Sequence, residues 1–261
     1  FMLKKHPFQH ISNQELTQQL VGLQKARYKF PMLFENHQII YPPKVNLEQT
    51  SSEVTATYKS VLFKIDSMID LTGGFGMDVS AFAKWCPITT HLESCAYLQP
   101  YAQQLLKTQL LPTKSLCTDG IEFLKKTLDS YDLIYLDPSR KTKTNTKAVL
   151  LKDYEPNVID HLDLLLNKSK RVMIKTSPML DITAGLKQLQ KVGELYVVAV
   201  KNEVKELLWI LSDKEVDQVT LTCINLQTEQ PVFKNLWSTQ SNTSYSKPQK
   251  YLYEPNAAVM K

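Results

Sequence analysis

Residues 68–78 read Met-Ile-Asp-Leu-Thr-Gly-Gly-Phe-Gly-Met-Asp, an apolar run that ends in an acid, passes through a glycine-rich turn and opens a helix. Glycine at 73, 74 and 76 lets the backbone turn sharply and come close to a ligand. A helix starting near Asp78 would aim N–H groups and the positive end of its dipole at the same point. This is the chemistry of a nucleotide-type cofactor site. Spacing narrows the choice, because a dinucleotide cradle needs G-x-G-x-x-G and Val79 stands where its last glycine would be. A P-loop needs Gly-Lys-Ser/Thr, and Gly76-Met77-Asp78 has no lysine. NAD and ATP are both disfavoured.

Further acids close the apolar runs that follow. Glu93 ends Pro87-Ile-Thr-Thr-His-Leu-Glu93, about 20 residues past the glycine turn, where a doubly wound fold sets a carboxylate against ribose hydroxyls. Lys114-Ser-Leu-Cys117 leads to Thr118-Asp119-Gly120, and Tyr131-Asp-Leu-Ile-Tyr-Leu-Asp137 stops at Pro138-Ser139-Arg140. Alone, Glu93 and Asp119 read equally well as cap or turn residues, whereas their order along the chain points to a cofactor.

The glycine turn resembles motif I of class I S-adenosylmethionine-dependent methyltransferases. That resemblance implies Asp70 facing the methionine ammonium, Glu93 the ribose, Asp119 the adenine amino group and Asp137 the reaction centre. The cofactor contacts it implies are Ser52, Glu53, Asp70, Thr72, Gly73, Gly74, Phe75, Gly76, Asp78, Glu93, Ser94, Asp119, Gly120 and Asp137. The implied catalytic residues are Asp137, Pro138, Arg140 and Lys175, with Ser177 facing the same crevice. A longer set of motifs, Glu48-Gln-Thr-Ser-Ser-Glu53-Val-Thr-Ala-Thr-Tyr58-Lys59, Asp70 to Asp78, Leu136-Asp-Pro-Ser-Arg140, Asp153-Tyr-Glu-Pro156, Lys175-Thr-Ser-Pro178 and Tyr251-Leu-Tyr-Glu-Pro-Asn256, covers nearly the whole chain. Together they resemble a bacterial methyltransferase family with a C-terminal THUMP-like domain, which this chain lacks and whose name implies RNA, rRNA or tRNA, as substrate.

The implied reaction is in-line attack of a substrate nucleophile on the sulfonium methyl, catalysed mainly by positioning and desolvation. Asp137 would accept a hydrogen bond from the attacking N–H, with the Pro138 carbonyl taking a second. Amino-methyltransferases with Asp/Asn-Pro-Pro-Tyr/Phe/Trp stack a base on their last residue, whereas Asp137-Pro-Ser-Arg140 removes that aromatic. Arg140 is read as stacking through its guanidinium plane, holding a phosphate, or forming a structural ion pair with Asp153 or Glu155. Arg140, Lys141, Lys143, Lys147 and Lys152 form a basic stretch, read either as a substrate-facing loop or as a solvated one. Two other functions stay open: methylation of a protein or small molecule, and a non-catalytic cofactor-binding module that docks RNA or protein.

The elements that must position these residues follow from periodicity. Alternating strands and helices with a closing antiparallel hairpin imply an α/β fold, a mostly parallel sheet with helices on both faces behind a helical N-terminal lead-in, and the resemblance implies that this is the Rossmann-like class I methyltransferase fold with a seven-stranded sheet. Residues 1–60 are expected as a helical extension covering the cofactor site, 61–237 as the catalytic domain, and 238–261 as a linker and the start of a further helix. Ser12-Asn-Gln-Glu15 is a capping box, and Ile11, Leu16, Leu20 and Leu23 form a stripe read as core-facing. A loop marked by Pro31 and Pro42-Pro43 follows, then a second capping pattern, Thr50-Ser-Ser-Glu53, opens a helix to about Ile65. Beyond Asp137 the pattern predicts a helix over 158–167, a strand Arg171-Val-Met-Ile-Lys175, a helix after Asp181, a hairpin of 194–200 with 206–211, and a strand over 219–226. Residues 238–249 read as linker, and the helix begun at Tyr251 carries Pro255 in its first turn.

Composition agrees with a folded enzyme-sized domain. The chain has 261 residues, 43% hydrophobic and 22% charged, enough to bury a substantial core. Its net charge of +5 permits a phosphate-rich partner without requiring one. No apolar run reaches the ~18 residues of a membrane span and no leader opens the sequence, so a cytoplasmic location without a membrane partner is expected. Phe1 before Met2, and a helix that stops soon after starting, suggest a chain cut from a longer protein at both ends. Cys86, Cys95, Cys117 and Cys223 show no C-x-x-C pair and read as reduced, packed thiols, so no metal is expected. His91-Leu-Glu93 lacks the P-C-x-x-C partner of a zinc deaminase, and His91 is read as a strand residue.

Overall fold

The computed structural model describes residues 8, 10–140, 151–214, 217–238, 245–251 and 253–261. Its contacts form two compact units, Phe1–Leu128 and Asp129–Lys261.

The first unit opens with α1 (Asn13–Lys29). The predicted capping box is present: Glu15 N–H donates to Ser12 Oγ at 3.1 Å and Ser12 N–H donates to Glu15 Oε2 at 2.7 Å. The expected stripe is half borne out: Leu23 packs against the core and Leu16 is half-buried, whereas Ile11 and Leu20 are 44% and 45% exposed and the deeply buried positions are Gly22 and Ala26. The cause is Tyr41, whose side chain lies against Gly22 and joins Ala26 in one apolar cluster. Gln19 pairs with both peptide groups of Tyr41, accepting from its N–H at 2.8 Å and donating to its C=O at 2.9 Å. A Cβ on Gly22 would lie 2.2 Å from Tyr41 Cβ, so only small residues fit that face.

The stretch expected as a loop contains two short helices, α2 (Pro31–Phe34) and α3 (Lys44–Gln49). Pro31 sits in the first turn of α2, where a missing N–H costs nothing. The next helix, α4 (Glu53–Ser60), is capped by Ser52, which accepts from Thr55 N–H at 3.2 Å, and it stops short of Ile65. Then come β1 (Ser67–Asp70), α5 (Met77–Phe82), β2 (Ile88–Glu93), α6 (Gln99–Thr108), β3 (Thr113–Cys117) and α7 (Gly120–Lys126). The three strands are parallel, in the order β1-β2-β3, with Asp70 opposite His91 and Glu93 opposite Cys117.

Two ties hold the helical lead-in to this sheet segment. Phe75 and Met77 join Ala26, Phe30, Leu33, Tyr41 and Leu47 in one apolar cluster. The other tie is ionic: Lys59 of α4, wholly buried, lies 3.1 Å from Asp78 Oδ1 on α5, and Ser51 Oγ donates to Asp78 Oδ2 at 2.7 Å.

The second unit contains β4 (Tyr131–Leu136), β5 (Ser139–Arg140), β6 (Tyr154–Glu155), α8 (Leu162–Asn167), β7 (Ser169–Thr176), α9 (Ile182–Leu189), β8 (Val192–Val200), β9 (Glu203–Leu211), β10 (Thr220–Leu226), β11 (Phe233–Leu236) and α10 (Ala257–Met260). β5 and β6 make a separate antiparallel ribbon, and the larger sheet runs β4-β7-β9-β8-β10-β11. The predicted hairpin is β8–β9, turning on Lys201 and Asn202 with φ of +49° and +63°, the left-handed pair of a two-residue turn.

Three sheet strands in the first unit and six in the second make nine among the described residues, not the seven expected. The additional pair is β10, parallel to β8, and β11, antiparallel to β10. They cover an edge of β8 that the closing hairpin would leave open, and β11, exposed at every residue, becomes the edge instead. α10 also starts later than expected: Asn256 is its cap, accepting from Ala258 and Val259 N–H, which leaves Pro255 outside the first turn. Among the described residues no helix is long and apolar enough to cross a membrane. Of the cysteines, Cys86 and Cys223 are buried as expected, whereas Cys95 and Cys117 are exposed.

Removing one partner of a buried ion pair strands the other charge at a cost of about 3–5 kcal/mol. Lys59→Met should therefore destabilise the fold by about that much in urea unfolding, and adding Asp78→Leu should recover most of the loss. Equal stability of Lys59→Met and the parent would show that the pair carries no such burden.

Candidate cofactor and reaction sites

The first unit builds its site from the end of β1 outward. Asp70, 1% exposed, accepts from Thr72 N–H at 2.9 Å, which folds the strand end over on itself. Gly73 N–H continues toward β2 by donating to Leu92 C=O at 2.8 Å. At this point the backbone lies against the His91 ring, and a Cβ on Gly73 would sit 2.2 Å from His91 Cδ2 and Nε2. Gly74 and Gly76 take φ of +54° and +89°, conformations that a side chain makes costly, and α5 starts from there.

Glu93 is bound into the same turn. Its Oε2 accepts from Gly74 N–H at 2.8 Å and its Oε1 from Cys95 N–H at 2.6 Å, so the carboxylate clamps the glycine turn to the end of β2. Asp119 is an exposed cap of α7, accepting from Glu122 N–H at 2.9 Å, with buried Gly120 beginning the helix. Ser94 is exposed beside Glu93.

Several residues expected at the cofactor face elsewhere. Phe75, 1% exposed, is a core residue of the apolar cluster. Asp78 is committed to Lys59 and Ser51, because an aspartate in the buried first turn of α5 needs a counter-charge. Ser52 caps α4, and Glu53 Oε2 accepts from Met32 N–H at 2.9 Å, joining α4 to α2.

The second unit has its own cluster. The parallel register of β4 and β7 pairs Leu136 with Ile174, which brings Asp137 and Lys175 side by side just beyond, and Lys175 Nζ bonds to Asp137 Oδ2. Lys175 is 12% exposed and Asp137 31%, so the carboxylate is the more open partner. Pro138 is buried and Ser139 exposed. The β5–β6 ribbon aligns Arg140 with Tyr154 and Ser139 with Glu155, so the backbone of 153–155 does run beside Arg140. Ser177 Oγ accepts from Met179 N–H at 3.3 Å. Lys141, Lys143 and Lys147 of the basic stretch lie outside the described residues, and Lys152 is in a single 3-10 turn, Leu151–Asp153.

Two residues were not legible as site components. Glu206, 2% exposed, stands on β9 next to the Thr176–Leu207 pair, on the sheet face of Lys175 and diagonal to it. A lone acid entering Leu-Leu-Trp-Ile-Leu was the only signal. His91 is wholly buried under the glycine turn, with Nδ1 2.9 Å from Ser115 Oγ, which also accepts from Gln99 Nε2 at 3.0 Å.

Burial pushes the His91 imidazole down from 6.5 to about 4, although hydrogen bonding with backbone at Gly73, Gly74 and its own peptide pulls the other way. Between those values the unfolded chain binds a proton that the folded chain refuses, so stability falls as pH drops from 6.5 toward 4. We expect this residue to lower unfolding free energy by about 2 kcal/mol at pH 5 relative to pH 8. Urea titrations of the parent and His91→Asn at both pH values check this: the variant should lose that part of the difference, and an unchanged difference would refute the assignment.

The chain matches no protein-family model and no curated protein. Among solved structures, a candidate methyltransferase from Porphyromonas gingivalis W83 is similar with a TM-score of 0.84 and 28% identity, over 99% of this chain and 67% of that one. A candidate class I S-adenosylmethionine-dependent methyltransferase from Listeria monocytogenes is similar with a TM-score of 0.50 and 13% identity, over 79% of this chain and 73% of the other. With parallel strands β1–β3, the β4–β7 pair and the β8–β9 hairpin, the chain has the Rossmann-like α/β fold of class I methyltransferases.

Proposed function

We propose that this protein is an S-adenosylmethionine-dependent methyltransferase acting on RNA by direct in-line transfer. The observation that carries the reading is the glycine turn clamped by Glu93 beside buried Asp70 on adjacent parallel strands. That donor set fits the cofactor chemically: a buried carboxylate suits the methionine ammonium, a second suits vicinal hydroxyls, and left-handed glycines leave room for a close ligand. The cofactor supplies an activated methyl group on a sulfonium. In the second unit Asp137 orients the nucleophile and accepts its proton, with Lys175 fixing the carboxylate. Arg140 and Lys152, at and after the Asp-Pro turn, supply positive charge for a phosphate-bearing substrate, in keeping with the net charge of +5. A C-terminal THUMP-like module on a longer chain would add RNA affinity. The second reading, a protein or small-molecule substrate, is favoured by one observation: Arg140 stands where amino-methyltransferases carry their base-stacking aromatic.

Two measurements test the proposal. Labelled methyl from S-adenosylmethionine, incubated with the protein and cell extract, should enter material that ribonuclease destroys and protease spares; the opposite pattern would select the second reading. Asp70→Asn keeps an oxygen for Thr72 N–H but removes the charge, so calorimetry should show S-adenosylmethionine binding at least about tenfold weaker, or about 1.4 kcal/mol. Equal affinity would remove Asp70 from the site.

A further inference from the structure

The stretch between β11 and α10 has a linker's position but not a linker's composition. From residue 230 to residue 253 the chain carries no acid and three lysines, Lys234, Lys247 and Lys250. Tyrosines stand among them, and Tyr245, Tyr251 and Tyr253 are 92%, 80% and 83% exposed. Single exposed aromatics are ordinary on a protein surface, and a solvated linker needs none. Three nearly bare rings this close together are a surface. The chain is anchored on either side of them: Trp237 N–H donates to Val219 C=O at 2.7 Å as it leaves β11, and Ala257 N–H donates to Asn202 Oδ1 at 2.8 Å where α10 starts. Lys250 Nζ lies 5.4 Å from the centre of the Tyr251 ring, so a cation and an aromatic are presented together.

We propose that Tyr245, Tyr251 and Tyr253, with Lys247 and Lys250, bind single-stranded RNA: unpaired bases stack on the rings while the ammonium groups hold the phosphates. Every base has a π-face, so such a surface takes single strands with little regard to sequence. A duplex keeps its bases stacked on one another and offers these rings nothing. Lysine is depleted where protein meets protein, whereas lysines interleaved with aromatics, with no acid among them, match a phosphate backbone that carries unpaired bases. The surface takes its polymer from the RNA reading above but uses none of the transfer residues. It adds affinity for the strand outside the reaction centre.

The test is fluorescence anisotropy with a short unstructured RNA of mixed sequence, without S-adenosylmethionine, and with the same strand in a duplex for comparison. The protein should bind the single strand more tightly than the duplex. Combining Tyr245→Ala, Tyr251→Ala and Tyr253→Ala should weaken binding at least about tenfold, while the three corresponding Tyr→Phe changes should preserve it. Because the positions are exposed, urea unfolding of the alanine variant should match the parent. Lys247→Gln with Lys250→Gln should lower the slope of log affinity against log salt by about 1.4, for two phosphate contacts at ~0.7 each. An alanine variant that binds like the parent, or a parent that prefers the duplex, would overturn the surface. Tyrosine-dependent binding by a protein that transfers no methyl would uphold it and remove the transferase reading. Ribonuclease-sensitive methyl transfer without tyrosine-dependent binding would do the reverse.

Discussion

The tightest constraint in the first unit is the passage of the backbone across the His91 ring at Gly73. Side-chain atoms cannot be accommodated there, because the first of them would lie 2.2 Å from the imidazole, far inside van der Waals contact. The peptide chain therefore stays close to β2, where Gly73 N–H reaches Leu92 C=O and Gly74 N–H reaches Glu93. Left-handed φ at Gly74 and Gly76 then turns the chain into α5. The Glu93 carboxylate, accepting from Gly74 and Cys95 N–H, is thereby held in one orientation. His91 has a cost for the fold, since a buried imidazole is stable only while neutral.

The lead-in helices depend on that turn as much as they cover it. Phe75 leaves the glycine segment to enter a core built from α1, α2 and α3, so the geometry of the turn and the packing of the N-terminal helices are set together. The buried Lys59–Asp78 pair adds a directional tie between α4 and α5. Burying two opposite charges is seldom a net gain over apolar packing, but it penalises any arrangement that separates them. In the second unit the corresponding organiser is strand register. Parallel pairing of β4 with β7 and antiparallel pairing of β7 with β9 bring Asp137, Lys175 and Glu206, far apart in sequence, to one face.

Local chemistry in the sequence was enough to fix the glycine turn, the capping box at Ser12 and Glu15, the strand ending at Asp137 and the Lys201-Asn202 hairpin. Each depends on residues within a few positions of one another: a φ that glycine tolerates, a cap three residues from its donor, a two-residue reversal. The order of strand-end acids also carried the fold class, since alternating strands and helices have few ways to pair. Roles that depend on distant partners were less legible. Phe75 and Asp78 sit inside the glycine-turn motif, yet their side chains answer to α1–α4, and nothing local distinguishes a residue that faces outward from one that anchors the turn. The same limit applies to α1, where Leu23 packs against the core as expected but Gly22 and Ala26 are buried more deeply because the distant Tyr41 side chain and its apolar cluster lie opposite.

What the sequence by itself determined, then, is which residues could do chemistry and which short segments would present them. Tertiary structure alone decided which of those residues meet. Glu93 on Gly74, His91 under Gly73, Lys59 on Asp78 and Lys175 on Asp137 are all contacts between elements. So is the β10–β11 extension of the sheet, which covers β8 and leaves β11 as the edge. The physical reason is the same in each case: a charge or a close approach acquires its role from what is buried beside it, and burial is a property of the folded chain.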